Sequence, residues 1–470
     1  MSTNEPRNFD LNIEKILEGW EVKHAIREVI ANALDEQVLS QTQDITIGKD
    51  RSGNWHIRDF GRGIRYENLT QNENPEKLKN AGKVIGKFGV GLKDALATLN
   101  RRKILVRIRS AHSDISLVKA GKHGFEDVTT LQASVSPASN SGMAGTDFEL
   151  RGISSADIRG AKDFFLRFSG EHLLENTPYG QVLERTSGRA ARIYVTGLLV
   201  AEEERFAFSY NITSLTAGMR KALNRERTNV GRTAYTDRVK SMLLASQSEG
   251  VAQVLAADLS KIEQGRHHDE LNWTDVAVHA CQILNARKKV LFVTAAELGD
   301  ARDAIDHAMG DGYDVIPIPG NVRGALVGLK DLQGNPVRDL SVFQDEWNRS
   351  FEFKFVSRDR LTAAERKILD CWKRLVDLVG GLPDQIREIK ISETMRPDFG
   401  TGRECQGLWE AEKKRIVIKR SELASVKSFA GTLLHEITHA KSESPDVSRE
   451  FENALTEVIG QLSSVCLRSP

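Results

Sequence analysis

A chain of 470 residues is too long for one ordinary core, so two to four domains are expected. With 40% hydrophobic and 28% charged residues the composition is globular, and a net charge of +1 argues against a protein that binds chiefly by neutralising phosphates. Residues 1–10 are polar, no uncharged run would span a bilayer, and Cys281, Cys371, Cys405 and Cys466 form no Cys-x-x-Cys pair, so a cytoplasmic protein without a membrane partner is expected.

From Glu21 to Gln37 the apolar residues Val22, Ala25, Ile26, Val29, Ile30 and Ala33 recur at helical spacing. Glu28, Asn32 and Asp35 stand at i, i+4 and i+7 and so share one stripe of that helix. Ile45-Thr46-Ile47 and Trp55-His56-Ile57-Arg58 read as two strands around a turn at Ser52-Gly53-Asn54. They lead into Asp59-Phe60-Gly61-Arg62-Gly63, where two glycines after an acid permit close backbone approach to a ligand. A polar, lid-like stretch from Tyr66 to Lys83 precedes Gly86-Lys87-Phe88-Gly89-Val90-Gly91 and a helix from Leu92 to Leu99. Such a loop opening a helix offers unpaired amides and a helix dipole to an anion.

These ordered boxes resemble the GHKL ATPase superfamily of gyrase B, the heat-shock ninety chaperones, histidine kinases and MutL. The resemblance covers roughly residues 10–155, with Gly145-Thr146 before Asp147-Phe148-Glu149-Leu150 as a fourth element. It implies a Bergerat-type α/β sandwich over 1–155 that binds ATP. Asn32 would hold Mg2+ between the phosphates, Asp59 would read the adenine amino group, and Thr146 would assist through water. Gly86 to Gly91 would wrap the phosphates, with Lys87 or Lys93 reaching them. Glu28 would polarise the attacking water, which suits general-base chemistry. The short segment before Glu28 cannot build a phosphoacceptor hairpin, which favours hydrolysis over phosphoryl relay. Pairing of two chains on nucleotide binding is a further expectation.

In the middle of the chain, Arg192-Ile193-Tyr194-Val195 and Leu198-Leu199-Val200 flank Thr196-Gly197 as a hairpin, and helical periodicity runs from Thr236 to Ala256. A transducer-like α/β domain is expected over 156–265, with Lys221, Arg225 and Arg227 as alternatives for a basic residue delivered to the γ-phosphate. Residues 266–350 read as a small α/β connecting module built on Val290-Leu291-Phe292-Val293 and Val315-Ile316-Pro317-Ile318. Arg101-Arg102-Lys103 and Lys413-Lys414-Arg415 are short basic runs of a kind that usually forms solvated faces, so nucleic acid is not indicated.

Residues 355–470 begin with an amphipathic helix from Leu361 to Val379, followed by short strands. A helix near Ser425 to Lys441 then carries His435-Glu436-Ile437-Thr438-His439. Two histidines one turn apart reach a single Zn2+, and the intervening Glu436 can take a proton from water. A third ligand is needed from a helix expected over Asp446 to Ser463. Glu452 is the first choice and Glu450 and Glu457 its competitors, while Asp446 would cap the helix or orient a histidine. Trp409 and Glu410 would line the substrate edge or pack.

This segment resembles the minimal zincin metallopeptidases, although Ser442-Glu443-Ser444-Pro445 replaces the glycine-containing turn of some branches. The whole then reads as an α+β multidomain protein ending in a mostly helical zincin-like domain. Its ATP cycle would control a zinc peptidase that cuts a protein, in bacterial defence or stress response. The competing reading is a nucleotide-gated chaperone or clamp acting on a protein or DNA, with a structural zinc module.

Overall fold

The computed structural model describes residues 7–11, 17–70, 75–80, 83–86, 90–122, 125–223, 230–398 and 403–468. They form a mixed α+β protein of two compact units, Met1–Leu284 and Asn285–Pro470. Among the described residues no helix is long and apolar enough to cross a membrane.

Unit 1 opens with a seven-stranded antiparallel sheet. Its strands are β1 (Arg7–Asp10), β2 (Thr46–Lys49), β3 (Trp55–Arg58), β4 (Leu105–Ser110), β5 (Asp114–Lys122), β6 (Phe125–Ser136) and β7 (Thr146–Arg151), in the order β1-β6-β5-β4-β7-β3-β2. Ile57, Phe148, Ile108 and Ile115 stand abreast across β3, β7, β4 and β5. Because side chains alternate along a strand, this row lies on one face, and it is buried in one core with Ile26, Ile30, Ala95, Leu96 and Leu99. Those last residues belong to the Val22–Ser40 and Val90–Arg101 helices, which pack on each other. The result is a two-layer sandwich whose helix layer carries Glu28, Asn32 and Asp35.

The second sheet of unit 1 comprises β8 (Leu173–Thr177), β9 (Gly180–Glu184), β10 (Ala191–Val195), β11 (Leu198–Glu203) and β12 (Phe208–Ile212), in the order β11-β10-β12-β9-β8. Only β10 and β12 run parallel. The expected hairpin turn is present: Thr196 and Gly197 have φ of 48° and 84°, the left-handed torsions a two-residue turn requires. Residues 266–284, read from sequence as part of the connecting module, belong to this unit. Glu270 explains why: fully buried, it accepts the Ala207 amide at 2.8 Å and the Tyr210 hydroxyl at 2.9 Å at the start of β12.

Unit 2 contains a parallel pair, β13 (Val290–Val293) and β14 (Asp314–Pro317), packed by the Arg302–Gly310 and Leu340–Ser350 helices. A second sheet has β15 (Phe355–Val356), β16 (Glu388–Ser392), β19 (Gly407–Glu410) and β20 (Arg415–Lys419) in the order β15-β16-β20-β19, while β17 (Pro397–Asp398) and β18 (Arg403–Glu404) form a separate hairpin. Ile389, Ile391, Ile416 and Ile418 meet Phe429, Leu433 and Ile437 of the Val426–Ser442 helix in one core. The helix expected over 361–379 is two, Ala363–Leu369 and Trp372–Leu378. The last helix starts at Arg449 rather than Asp446, because Val447 has φ of 61°, outside the right-handed helical region.

Candidate functional site

On the Val22–Ser40 helix Glu28 and Asp35 are buried and Asn32 is half-buried. Glu28 is 5% exposed, and its Oε1 accepts Arg27 Nη2 at 2.8 Å and Nε at 3.1 Å. The Arg27 guanidinium lies over the rings of Trp20 and Phe164, at 5.2 and 5.3 Å from their centroids. A Cβ on Gly91 would stand 2.3 Å from Glu28 Oε2, so a side chain there would displace this carboxylate.

Asn32 accepts the Lys77 ammonium on Oδ1 at 3.0 Å, and Lys77 also donates to Asp35 Oδ2 at 2.7 Å. Asp35 accepts the amides of Ile85 at 2.6 Å and Gly86 at 2.8 Å as well. Its carboxylate therefore ties the end of the lid-like stretch to the helix. Arg62 makes a parallel tie, bonding Glu36 at 2.9 Å and Glu76 at 3.0 Å. Lys93, in the first turn of the Val90–Arg101 helix, is 8% exposed. Lys87 and Gly89 lie outside the described residues, as do Arg225 and Arg227; Lys221 is exposed in the Ala217–Ala222 helix.

Asp59 is 3% exposed and its Oδ1 accepts the Gly61 amide at 2.9 Å and the Thr146 amide at 3.2 Å. Burial holds its carboxyl above the usual aspartate range, against those two amides. Thr146 Oγ1 accepts the Ile64 amide at 2.9 Å. Gly63, at φ of 80°, and Gly145, at 77°, permit this close crossing, since a Cβ on Gly145 would overlap the Asp59 carbonyl at 2.0 Å. Asn32, Asp59, Gly63, Lys77 and Thr146 line one cavity.

In unit 2, three groups converge. His435 Nε2 and His439 Nε2 are 3.2 Å apart, and Asp446 Oδ1 lies 3.2 Å from the first and 3.3 Å from the second. Three ligands about 2.0–2.1 Å from a tetrahedral zinc would stand about 3.3–3.4 Å from one another, so the triangle has the edge length a metal requires. The His439 Nδ1 faces the Ser444 carbonyl at 2.9 Å. A carbonyl only accepts, so Nδ1 donates to it, and in the neutral imidazole the Nε2 lone pair then faces Asp446 and His435.

Glu436 is 6% exposed, and burial pushes its carboxyl up to about 8 against the pull of the Trp409 amide. A Cβ on Gly407 would stand 2.7 Å from Glu436 Oε1, which sets β19 directly beside this carboxylate. His435, Glu436, His439, Asp446 and β19 line one cleft of about 1130 Å³. The acids expected to supply the third ligand, Glu452, Glu450 and Glu457, are all exposed. Phe451 faces the imidazoles instead, and Asp446, weighed from sequence as a cap or orienting group, joins the two histidines. The last helix begins at Arg449, after the positive φ of Val447.

Residues 156–249, which contain the five-stranded sheet, match a family model described as the Mycoplasma pneumoniae MPN635 N-terminal domain. Proteins of Mycoplasma pneumoniae (strain ATCC 29342 / M129 / Subtype 1), each named as an uncharacterized protein, are similar to this chain. One is 37% identical over 245 residues, which is 51% of this chain and 98% of the relative. A second is 24% identical over 350 residues, 70% of this chain and 97% of that relative.

Proposed function

We propose that this chain, which belongs to the family of the uncharacterized Mycoplasma pneumoniae protein 37% identical to it, hydrolyses ATP in unit 1 and cuts peptide bonds at a metal centre in unit 2. The observation that carries the second half is the triangle of His435, His439 and Asp446 beside a buried Glu436. A structural site has no use for a buried carboxylate next to two ligands.

When bound there, zinc supplies a Lewis acid that polarises a scissile carbonyl and makes water easier to deprotonate. The chain's own part is proton handling and alignment. Glu436, held ionised by the positive charge of the bound metal against the effect of its burial, would take the proton from the attacking water and pass it to the departing amine. Among the described residues β19 pairs with β20 on one side only, so its other edge, along the cleft, can bind an extended peptide by backbone hydrogen bonds.

In unit 1, the support is the arrangement of the boxes in three dimensions. Asp59, ionised, would accept from the adenine amino group, with Thr146 closing the rim. Asn32 would hold magnesium, and Glu28, kept in place by Arg27, would draw the proton from the hydrolytic water. Control of the metal centre by the nucleotide cycle completes the proposal.

The test is incubation of the full chain with an unfolded protein substrate and Zn2+, with and without ATP. Cleavage stimulated by ATP and lost in Glu436→Gln is expected. Cleavage indifferent to ATP would remove the control, and cleavage that survives Glu436→Gln would remove the metal-centre chemistry.

A further inference from the structure

The geometry points to Phe451 as the positioning residue of the metal centre, an assignment that rests on the metal reading above. The Val426–Ser442 helix places His435 and His439 one turn apart but leaves both imidazoles free to rotate about their side-chain bonds. Spacing alone does not make two Nε2 atoms converge to 3.2 Å.

On His439, Nδ1 is oriented by the Ser444 carbonyl. For His435, no hydrogen bond to Nδ1 is seen among the described residues. Both rings instead share one apolar wall. The Phe451 ring stacks on His439 with centroids 4.4 Å apart at 29°, and meets His435 edge-on at 5.0 Å and 66°. It is 5% exposed, and its backbone amide donates to Ser448 Oγ at 3.1 Å, which fixes the first turn of its helix.

Phe451 thus occupies the face of the last helix from which another ligand could have come. With that face apolar, the third donor comes from the turn before the helix, where the Asp446 side chain is 62% exposed. Two imidazoles are clamped by an aromatic ring, and one carboxylate approaches from solvent. Groups that orient ligands without touching the metal change affinity by roughly 10–100-fold when removed.

Cobalt(II) titrated into the full-length protein, read by visible absorption, tests this. The wild type is expected to give a tetrahedral-type band. Phe451→Leu, which keeps an apolar side chain without a ring face, should bind about tenfold more weakly or worse, with a shifted or weakened band. Val458→Ala controls for packing: Val458 is buried two turns along the same helix, so this variant should melt earlier yet keep wild-type cobalt affinity and spectrum. Equal affinity and spectrum in Phe451→Leu, or an equal loss in Val458→Ala, would overturn the assignment. A wild type that takes up no cobalt would overturn the metal reading, and the assignment with it.

Discussion

Lys77 places its ammonium 3.0 Å from Oδ1 of Asn32, the atom to which the nucleotide reading assigns magnesium. The same ammonium neutralises Asp35, whose side chain is 1% exposed. On that reading a cation of the chain stands where magnesium would sit, and the two would compete. Lys77→Met should bind Mg2+ and ATP several-fold more tightly. It should also destabilise the nucleotide-free protein by about 2 kcal/mol, because Asp35 keeps its two amides but loses its counter-charge. Denaturant melts and nucleotide titrations check both effects. Weaker nucleotide binding in the variant would mean that Lys77 serves the phosphates instead.

Glu28→Gln keeps an oxygen for Arg27 and removes the basic group. Nucleotide affinity should stay near wild type while phosphate release falls by about 10²–10⁴-fold. Unchanged turnover would end the assignment of Glu28 as base.

Asp59 carries opposite signs for binding and for stability. Burial raises its folded pKa, so the nucleotide-free fold loses stability as pH rises from the ordinary aspartate value through the raised one. If Asp59 reads the adenine amino group, binding needs the ionised form, and ATP affinity should fall as pH drops through that raised value. Asp59→Asn should abolish both dependences: thermal stability equal to or above wild type, with ATP affinity lowered by about 10–100-fold. Titration calorimetry and melting curves against pH measure this, and undiminished binding in the variant would contradict the adenine role.

How much of this was legible in the chain depends on distance along it. The Glu28–Asn32–Asp35 stripe, the Thr196–Gly197 turn and the His435–His439 pair are local, and helical or hairpin geometry alone predicts them. Lys77 on Asn32 and Glu270 under β12 join segments far apart in sequence, and no periodicity announces such pairs. The convergence of Asp446 on the two histidines was not legible either. Val447 has φ of 61° and the helix begins at Arg449, and no sequence periodicity shows that Phe451 rather than Glu452 faces the imidazoles.

Gly407 tests the seating of Glu436 against β19. A Cβ there meets Thr432 Cγ2 at 2.5 Å and Glu436 Oε1 at 2.7 Å, so the strand or the carboxylate must move. Gly407→Ala should cost about 1–3 kcal/mol of stability and lower peptidase turnover more than metal content. Full turnover in a stable variant would show that Glu436 and β19 need not be so close.

The most direct measurement is the zinc content of the full chain purified without added metal, in wild type, Asp446→Ala and Glu452→Gln. The predicted result is one zinc per chain in the wild type and in Glu452→Gln, with zinc lost or sharply depleted in Asp446→Ala. A zinc-free wild type, or loss in Glu452→Gln with retention in Asp446→Ala, would contradict a centre built from His435, His439 and Asp446.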